Sequence, residues 1–362
     1  MSQAAAAHPF QMAGHIQRGD MAPWWNHGIQ RFLFDPLTGR YIVLAFQGVR
    51  GDPPEAARRQ ALRRFDRFAA AERAYFLGIS CDPRIQAGGE AAQEAAPLRG
   101  VFDAGAAMHR AYGLGAARAW IVLDPMLRVI EMIPFRDDAA DIGQLADLLD
   151  ALPPPARFLG IELAPPVLML PDVFEPALCA HLIALYERSG GRESGFMQEV
   201  SGKAVEHYDP QWKRRKDCMV TDAALIEQIK ARFARRVGLM LQRAFQFRLT
   251  RMERYLLACY AAEDGGHFGP HRDDTVKATE HRRFAVSINL NADFDGGDLD
   301  FPEFGPQRFK PPVGAALIFS AALLHRVNRV TRGRRYAFLA FLHDEEAEKL
   351  RLANLRFLAP PA

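Results

Sequence analysis

The hydrophobic pattern changes period along this chain. From "YIVLAF" (41–46), through a helix-period run at about 54–71, to "YFLGIS" (75–80), it predicts a buried strand, an amphipathic helix and a second strand, in βαβ order. A helix-like stretch around "DAGAAMHRAYGL" then precedes "AWIVLD", a turn at Pro125, "RVIEMIP" and the amphipathic run "DIGQLADLLDAL". This half reads ββα. Together the two halves predict an α/β domain of thioredoxin-like layout.

The stretch "LPPPARFLGIELAPPV" (152–167) holds five prolines, which deny backbone donors and break helices. It separates a first domain, 1–155, from a second, 156–362. The second opens with an amphipathic helix in "PDVFEPALCAHLIALYERSG". From about 249 the pattern turns to short strands between turn residues: "RYLLACYA", "RRFAVSINL", "DLDF", "QRFKP", "AALIFS" and "RYAFLAFLH". Their close spacing predicts a β-sandwich or jelly roll with flanking helices. Within "RFAVSINLN", Phe284, Val286, Ile288 and Leu290 fall on one face and Ala285, Ser287, Asn289 and Asn291 on the other. One face packs, and the other is fit to line a polar cavity.

Composition narrows the classes. The chain has 362 residues, 49% apolar and 25% charged, which suits a globular protein. A net charge of +3 from 46 basic and 43 acidic side chains is near balance and argues against a polyanion partner such as nucleic acid. The start, "MSQAAAAHPF", lacks a basic stretch and long apolar run, and no window approaches the roughly 20 apolar residues of a membrane span. The expectation is a cytoplasmic protein without a membrane partner. Cys81, Cys179, Cys218 and Cys259 form no C-x-x-C pair, so they read as small buried hydrophobes rather than disulfide or zinc ligands.

Three histidines lie two residues before a carboxylate: His207 with Asp209, His271 with Asp273, and His343 with Glu345. On an extended segment each pair projects to one side and could hold a metal ion, so spacing alone does not choose. His207 and Asp209 run into "QWKRRKD", a polar segment without strand character, and His343 closes the last strand before an acidic tail. Only the middle pair is embedded among strands. Downstream, His325 follows "AALIFS" and Arg335 opens "RYAFLAFLH". Two imidazoles and a carboxylate leave open positions of the kind non-haem Fe(II) uses, and an arginine fork can grip the far carboxylate of a dicarboxylate. The acidic run Asp293, Asp295, Asp298 and Asp300 lacks a calcium loop's closing glutamate and reads as a turn and strand edge. His267 could serve as a substrate-side acid or base but reads first as a solvated loop histidine, and "KRRK" (213–216) could bind an acidic substrate or nucleic acid but reads first as a solvated basic run.

Two family resemblances accompany these motifs. "GDMAPWW", "GISCDP" and "RAWIVLDPMLRVI" resemble peroxiredoxin-like domains over about residues 18 to 152. The loop in which that family keeps its thiolate reads "QGVRGDPPEAARRQ" and contains no cysteine, and Arg118 stands where the family keeps an active-site arginine. Thiol peroxidase activity, with Cys81 as a poor substitute nucleophile, is therefore a minor alternative, and partner docking or a structural role the main one. "ACYAAEDGGHFGPHRDD", "SINLNADFDGGDLDF", "PPVGAALIFSAALLHRV" and "VTRGRRYAFLAFLHD" resemble the Fe(II)/2-oxoglutarate-dependent oxygenases, especially their prolyl-4-hydroxylase-like branch.

That second resemblance implies a double-stranded β-helix with His271, Asp273 and His325 as iron ligands, Arg335 on the distal carboxylate of 2-oxoglutarate and Tyr260 in the co-substrate pocket. Phe268 and Asn289 stand where the animal prolyl hydroxylases carry tyrosines, which places Asn289 in the pocket as a departure from the pattern. It also implies O2 as co-substrate, ascorbate as a candidate reductant, and a prolyl or related residue of a peptide, protein or amino-acid substrate. The rival readings are a demethylase of alkylated nucleic acid on the same iron centre and a 2-oxoglutarate-sensing, partner-binding module.

Overall fold

The computed structural model describes residues 16–23, 37, 39–47, 65–70, 73–81, 98–136, 140–200 and 203–358. The chain forms two compact units, Met1–Leu163 with Glu303–Gly305, and Ala164–Pro302 with Pro306–Ala362. The change of unit at Leu163 lies inside the proline-rich stretch.

In the first unit the strands Tyr41–Phe46, Ala74–Ser80, Leu98–Phe102, Ala119–Leu123 and Val129–Pro134 form one sheet. Their spatial order is third, second, first, fourth, fifth, with the first three parallel and the last two antiparallel. All six residues of "YIVLAF" are buried because both faces of the sheet are covered. Ile42, Leu44 and Phe46 enter one apolar cluster, and Tyr41, Val43 and Ala45 enter the other. Helix Ala140–Ala151 lays Ile142, Leu145 and Leu149 on the second cluster.

Two features differ from expectation. The edge strand Leu98–Phe102 is additional, and "DAGAAMHRAYGL" yields only a 3-10 turn and the helix Ala107–Ala111. Gly105 and Ala106 adopt left-handed φ of 60° and 59°, which stops the helix from starting earlier. Of the run at 54–71 the described part is helical at Asp66–Ala70, and the remainder lies outside the described residues.

The second unit carries two large antiparallel sheets. One orders Val167–Leu170, Ala316–Ser320, Phe284–Asn289, Val330–His343, Arg251–Ala261, Lys216–Met219 and Arg192–Glu193, with Phe294–Gly296 paired onto Val330–His343. The other orders Lys213–Arg214, His267–His271, His325–Val327, Leu299–Asp300 and Arg308–Phe309. Helices Pro176–Ser189, Ala223–Arg232 and Leu239–Phe245 bury Leu182, Ile229 and Leu241 in a core shared with Val286, Ile288 and Phe338. Phe284, Val286, Ile288 and Leu290 all join that core, as the alternation predicts.

Strand structure begins well before residue 249, at Val167, and includes a hairpin of Phe196–Val200 with Lys203–His207. The segment "QWKRRKD" is not a solvated coil, since it contributes strands to both large sheets. Lys213 and Arg215 are buried while Arg214 and Lys216 are exposed, the period-two alternation of a half-buried strand. Cys179 and Cys259 are buried as expected, but Cys81 and Cys218 are partly exposed. Among the described residues no helix is long and apolar enough to cross a membrane.

Candidate metal centre

His271 ends the strand His267–His271 and stands opposite His325 on the antiparallel strand His325–Val327. Directly opposed positions hold their Cβ atoms about 5 Å apart, so two histidines there converge, and their ring centroids lie 4.2 Å apart. Asp273 follows at i+2. Its backbone N–H donates to Ala321 O at 2.9 Å and its carbonyl accepts from Arg282 Nη1 at 3.2 Å, which fixes the carboxylate's origin. Oδ1 lies 3.7 Å from His271 Nε2 and Oδ2 lies 3.5 Å from His325 Nε2. One ligand atom from each residue falls within 4.8 Å of the other two.

The chemistry of the donors suits a cation. His271 Nδ1 donates to Gly269 O at 2.8 Å and His325 Nδ1 donates to Leu323 O at 3.0 Å. Each bond goes to a main-chain carbonyl two residues back and leaves Nε2 with its lone pair toward Asp273. Burial, then the neighbouring His325, pushes His271 well below the ordinary histidine range, so it stays neutral at pH 7. Phe268 stacks on His271 at 3.5 Å between centroids, and Phe319 meets His325 edge-on at 4.6 Å. These rings wall the donors with hydrocarbon.

Arg335 enters from Val330–His343, the central strand that pairs on both sides, and is only 1% exposed. Nε donates to Asn289 Oδ1 at 2.9 Å and Nη2 to Ser287 Oγ at 2.8 Å, two acceptors at i and i+2 on the polar face of the neighbouring strand. Nη1 is buried with no partner among the described residues. Tyr260, opposite Arg335 in register, places its ring 5.3 Å from the guanidinium carbon. Gly297, at φ 64°, makes room for it, because a Cβ there would come within 3.0 Å of Arg335 Cδ. A buried guanidinium with an unused N–H and no carboxylate partner fits one end of a dicarboxylate.

The remaining candidates fall elsewhere. His207 packs its ring against Phe196, and Asp209 Oδ1 accepts from the N–H of Gln211. His343 pairs with Glu348 rather than Glu345, which bonds Arg251. His267 is not a solvated loop residue: it lies in a strand, with Nδ1 against Gly265 O and Nε2 against Gln211 O. Asp295 and Asp300 take Arg332 and Arg326 as partners at strand edges. Asn289 uses its oxygen on Arg335 and its N–H on Pro311 O, so it orients the guanidinium. The basic run singled out at 213–216 sends Lys213 and Arg215 inward, both bonded to Ser194, which the sequence did not mark, and Arg215 also to Tyr260 beside Phe268.

Residues 255–343, which contain His271, Asp273, His325, Arg335 and Tyr260, match the 2OG-Fe(II) oxygenase superfamily. The chain is 35% identical over 96 residues to a PKHD-type hydroxylase of Synechococcus sp. (strain JA-2-3B'a(2-13)), covering 25% of this chain and 42% of that protein. It is 41% identical over 91 residues to a PKHD-type hydroxylase of Pseudomonas fluorescens (strain Pf0-1), covering 23% and 39%. The chain thus spans about two fifths of the length of the curated relatives it matches. Among solved structures, it is similar to a Trichoplax adhaerens prolyl hydroxylase in complex with a hypoxia inducible factor peptide, with TM-score 0.39, 16% identity and coverage of 52% of this chain and 86% of that one. Peroxiredoxin Q of Xanthomonas campestris gives TM-score 0.27 and 20% identity over 32% of this chain and 80% of that one. The C-terminal region of this chain carries a 2OG-Fe(II) oxygenase domain.

Proposed function

We propose that the chain is an Fe(II)- and 2-oxoglutarate-dependent dioxygenase that hydroxylates an amino-acid side chain, prolyl or related, in a peptide or protein. The observation that carries this reading is the convergence of His271, Asp273 and His325 with bare Nε2 donors, beside a buried Arg335 whose Nη1 has no partner among the described residues. His271, Asp273 and His325 would hold ferrous iron, and Arg335, oriented by Ser287 and Asn289 and flanked by Tyr260, would hold the distal carboxylate of 2-oxoglutarate. When bound, iron and co-substrate supply the oxidising chemistry: one atom of O2 enters a substrate C–H bond and the other leaves in succinate, with release of CO2.

The protein's own contributions are fixed donors, a neutral His271 and an aromatic wall that limits water around the site. The architecture we propose is a double-stranded β-helix in the C-terminal unit and a thioredoxin-like N-terminal unit that docks a partner or substrate. The curated relatives are named PKHD-type hydroxylases, which supports hydroxylation as the reaction. Anaerobic titration with Fe(II) and 2-oxoglutarate, followed by succinate measurement under air with and without ascorbate, tests the reading. Iron-dependent succinate release supports it, and no iron-dependent binding of 2-oxoglutarate would refute it.

A further inference from the structure

We propose that Lys213 and Arg215 form a cationic wall beside the metal ligands that recognises a carboxylate on the substrate, on the reacting residue or its immediate neighbour. The inference rests on the oxygenase reading above and narrows its substrate class.

The segment "KRRKD" sorts its charges by strand alternation. Arg214 and Lys216 face outward and bond to Asp264, one to its carbonyl and the other to its carboxylate. Lys213, 6% exposed, and Arg215, 9% exposed, face inward. Lys213 pairs in register with Phe268, and its Nζ lies 4.8 Å from that ring's centroid. The same ring is stacked on the metal-ligand candidate His271. The Arg215 guanidinium carbon is 6.0 Å from Phe268 and 5.8 Å from Tyr260, whose ring also faces Arg335. Both cations therefore stand one aromatic ring away from the groups assigned to iron and co-substrate.

Their partners differ in charge. Arg215 is offset by Asp217, whose two oxygens it bonds at 2.7 and 2.6 Å. Lys213 donates to Ser194 Oγ at 2.8 Å and to the carbonyl of Gly195, both neutral. A divalent ion is offset by Asp273 and a dicarboxylate, and Arg335 is taken by that dicarboxylate. Lys213 is the inward basic group with no salt bridge among the described residues, since the Asp217 carboxylate that acts on it is held by Arg215. Burial, then the charge of Arg215, pushes Lys213 down to about 6 against the opposing pull of Asp217 and Glu206, so the amine is largely neutral at pH 7 and a bound anion would restore its charge. A purely structural tie to the Ser194–Gly195 turn would need only a neutral donor, whereas a substrate carboxylate would supply the missing charge.

The test uses the full chain loaded anaerobically with Fe(II) and 2-oxoglutarate, titrated calorimetrically with matched acid and amide probes. The pairs are L-proline with L-prolinamide, N-acetyl-L-proline with its amide, and N-acetyl-Pro-Glu-amide with N-acetyl-Pro-Gln-amide. In at least one pair the acid binds at least ~10-fold more tightly than its amide, as a charge-assisted hydrogen bond requires. Lys213→Met abolishes that preference and Lys213→Arg retains it, and Lys213→Gln serves as a second neutral variant should the methionine form not fold. Equal affinity for acid and amide in every pair, or no binding of any acid, overturns the inference. So does a larger loss of 2-oxoglutarate affinity than of acid affinity in Lys213→Met, because the wall would then serve the co-substrate. In those cases iron-dependent succinate release leaves the oxygenase reading standing, whereas no iron-dependent 2-oxoglutarate binding removes both.

Discussion

Each unit of the molecule gathers three side chains of the kinds that hold metals, and the two groups are chemically unlike. In the first unit Cys81, Asp103 and His109 come as close together as His271, Asp273 and His325 do in the second. Asp103 is already committed: it accepts from the N–H groups of Met108 and His109 and from His109 Nδ1 at 2.6 Å. Burial works against its charge, but these hydrogen bonds outweigh it and hold Asp103 below the usual carboxylate range. It caps the short helix Ala107–Ala111. Asp273, by contrast, is tied down through its main chain and keeps both oxygens for the histidines. Proximity of metal-capable groups does not make a site; a carboxylate left uncommitted beside the imidazoles does.

The same comparison bears on Cys81. Burial, then the charge of Asp103, raises its thiol above the ordinary range, the reverse of what a peroxidatic nucleophile needs.

The largest expected effect breaks the second group. Asp273→Ala or His325→Ala reduces iron-dependent succinate release to background, while Cys81→Ser leaves it at the parent value, both read by succinate assay. Retained turnover in Asp273→Ala would reverse the assignment. Arg335→Ala acts next, weakening 2-oxoglutarate binding roughly 100-fold or more through loss of two charge-assisted hydrogen bonds, as read by calorimetry.

Breaking the first group costs stability instead. Asp103→Ala removes a cap and strands a buried imidazole donor, for about 2–4 kcal/mol on denaturant titration of the first unit's transition. Succinate release from molecules that stay folded is the control that separates the two outcomes.

The last effect is one of pH. Lys213 sits at about 6 in the fold against about 10.4 in an unfolded chain. Between those values the unfolded state binds a proton that the folded state lacks, so the parent gains stability as pH rises through the window. Lys213→Met in metal-free protein therefore raises Tm more at pH 6.5 than at pH 9.5. An equal gain at both would mean the ammonium is solvated.

The sequence pattern carried some of this further than the rest. The polar face of "RFAVSINLN" was legible because Ser287 and Asn289 alternate with large apolar residues, and they now orient Arg335. The order of His271, Asp273, His325 and Arg335 was legible because strand ends and H-x-D spacing survive in one dimension. The run "KRRKD" was legible only as a basic stretch able to meet an acidic substrate, since every position is charged and a binary pattern shows no alternation; only burial separates Lys213 and Arg215 from their neighbours. His267 was misread for a related reason: its partners, Gly265 O and Gln211 O, are backbone atoms that leave no mark in composition. The edge strand Leu98–Phe102 and the shortened helix after Asp103 turn on pairing and left-handed φ, which residue types signal weakly.

The placement of Arg335 on a strand hydrogen-bonded along both flanks has a practical outcome. That strand cannot open without dismantling the sheet around it, so a molecule gripped by the guanidinium stabilises the C-terminal unit as a whole rather than a loop. Calorimetric melting in rising keto acid concentration then doubles as a ruler of binding strength, even where no turnover partner has been found.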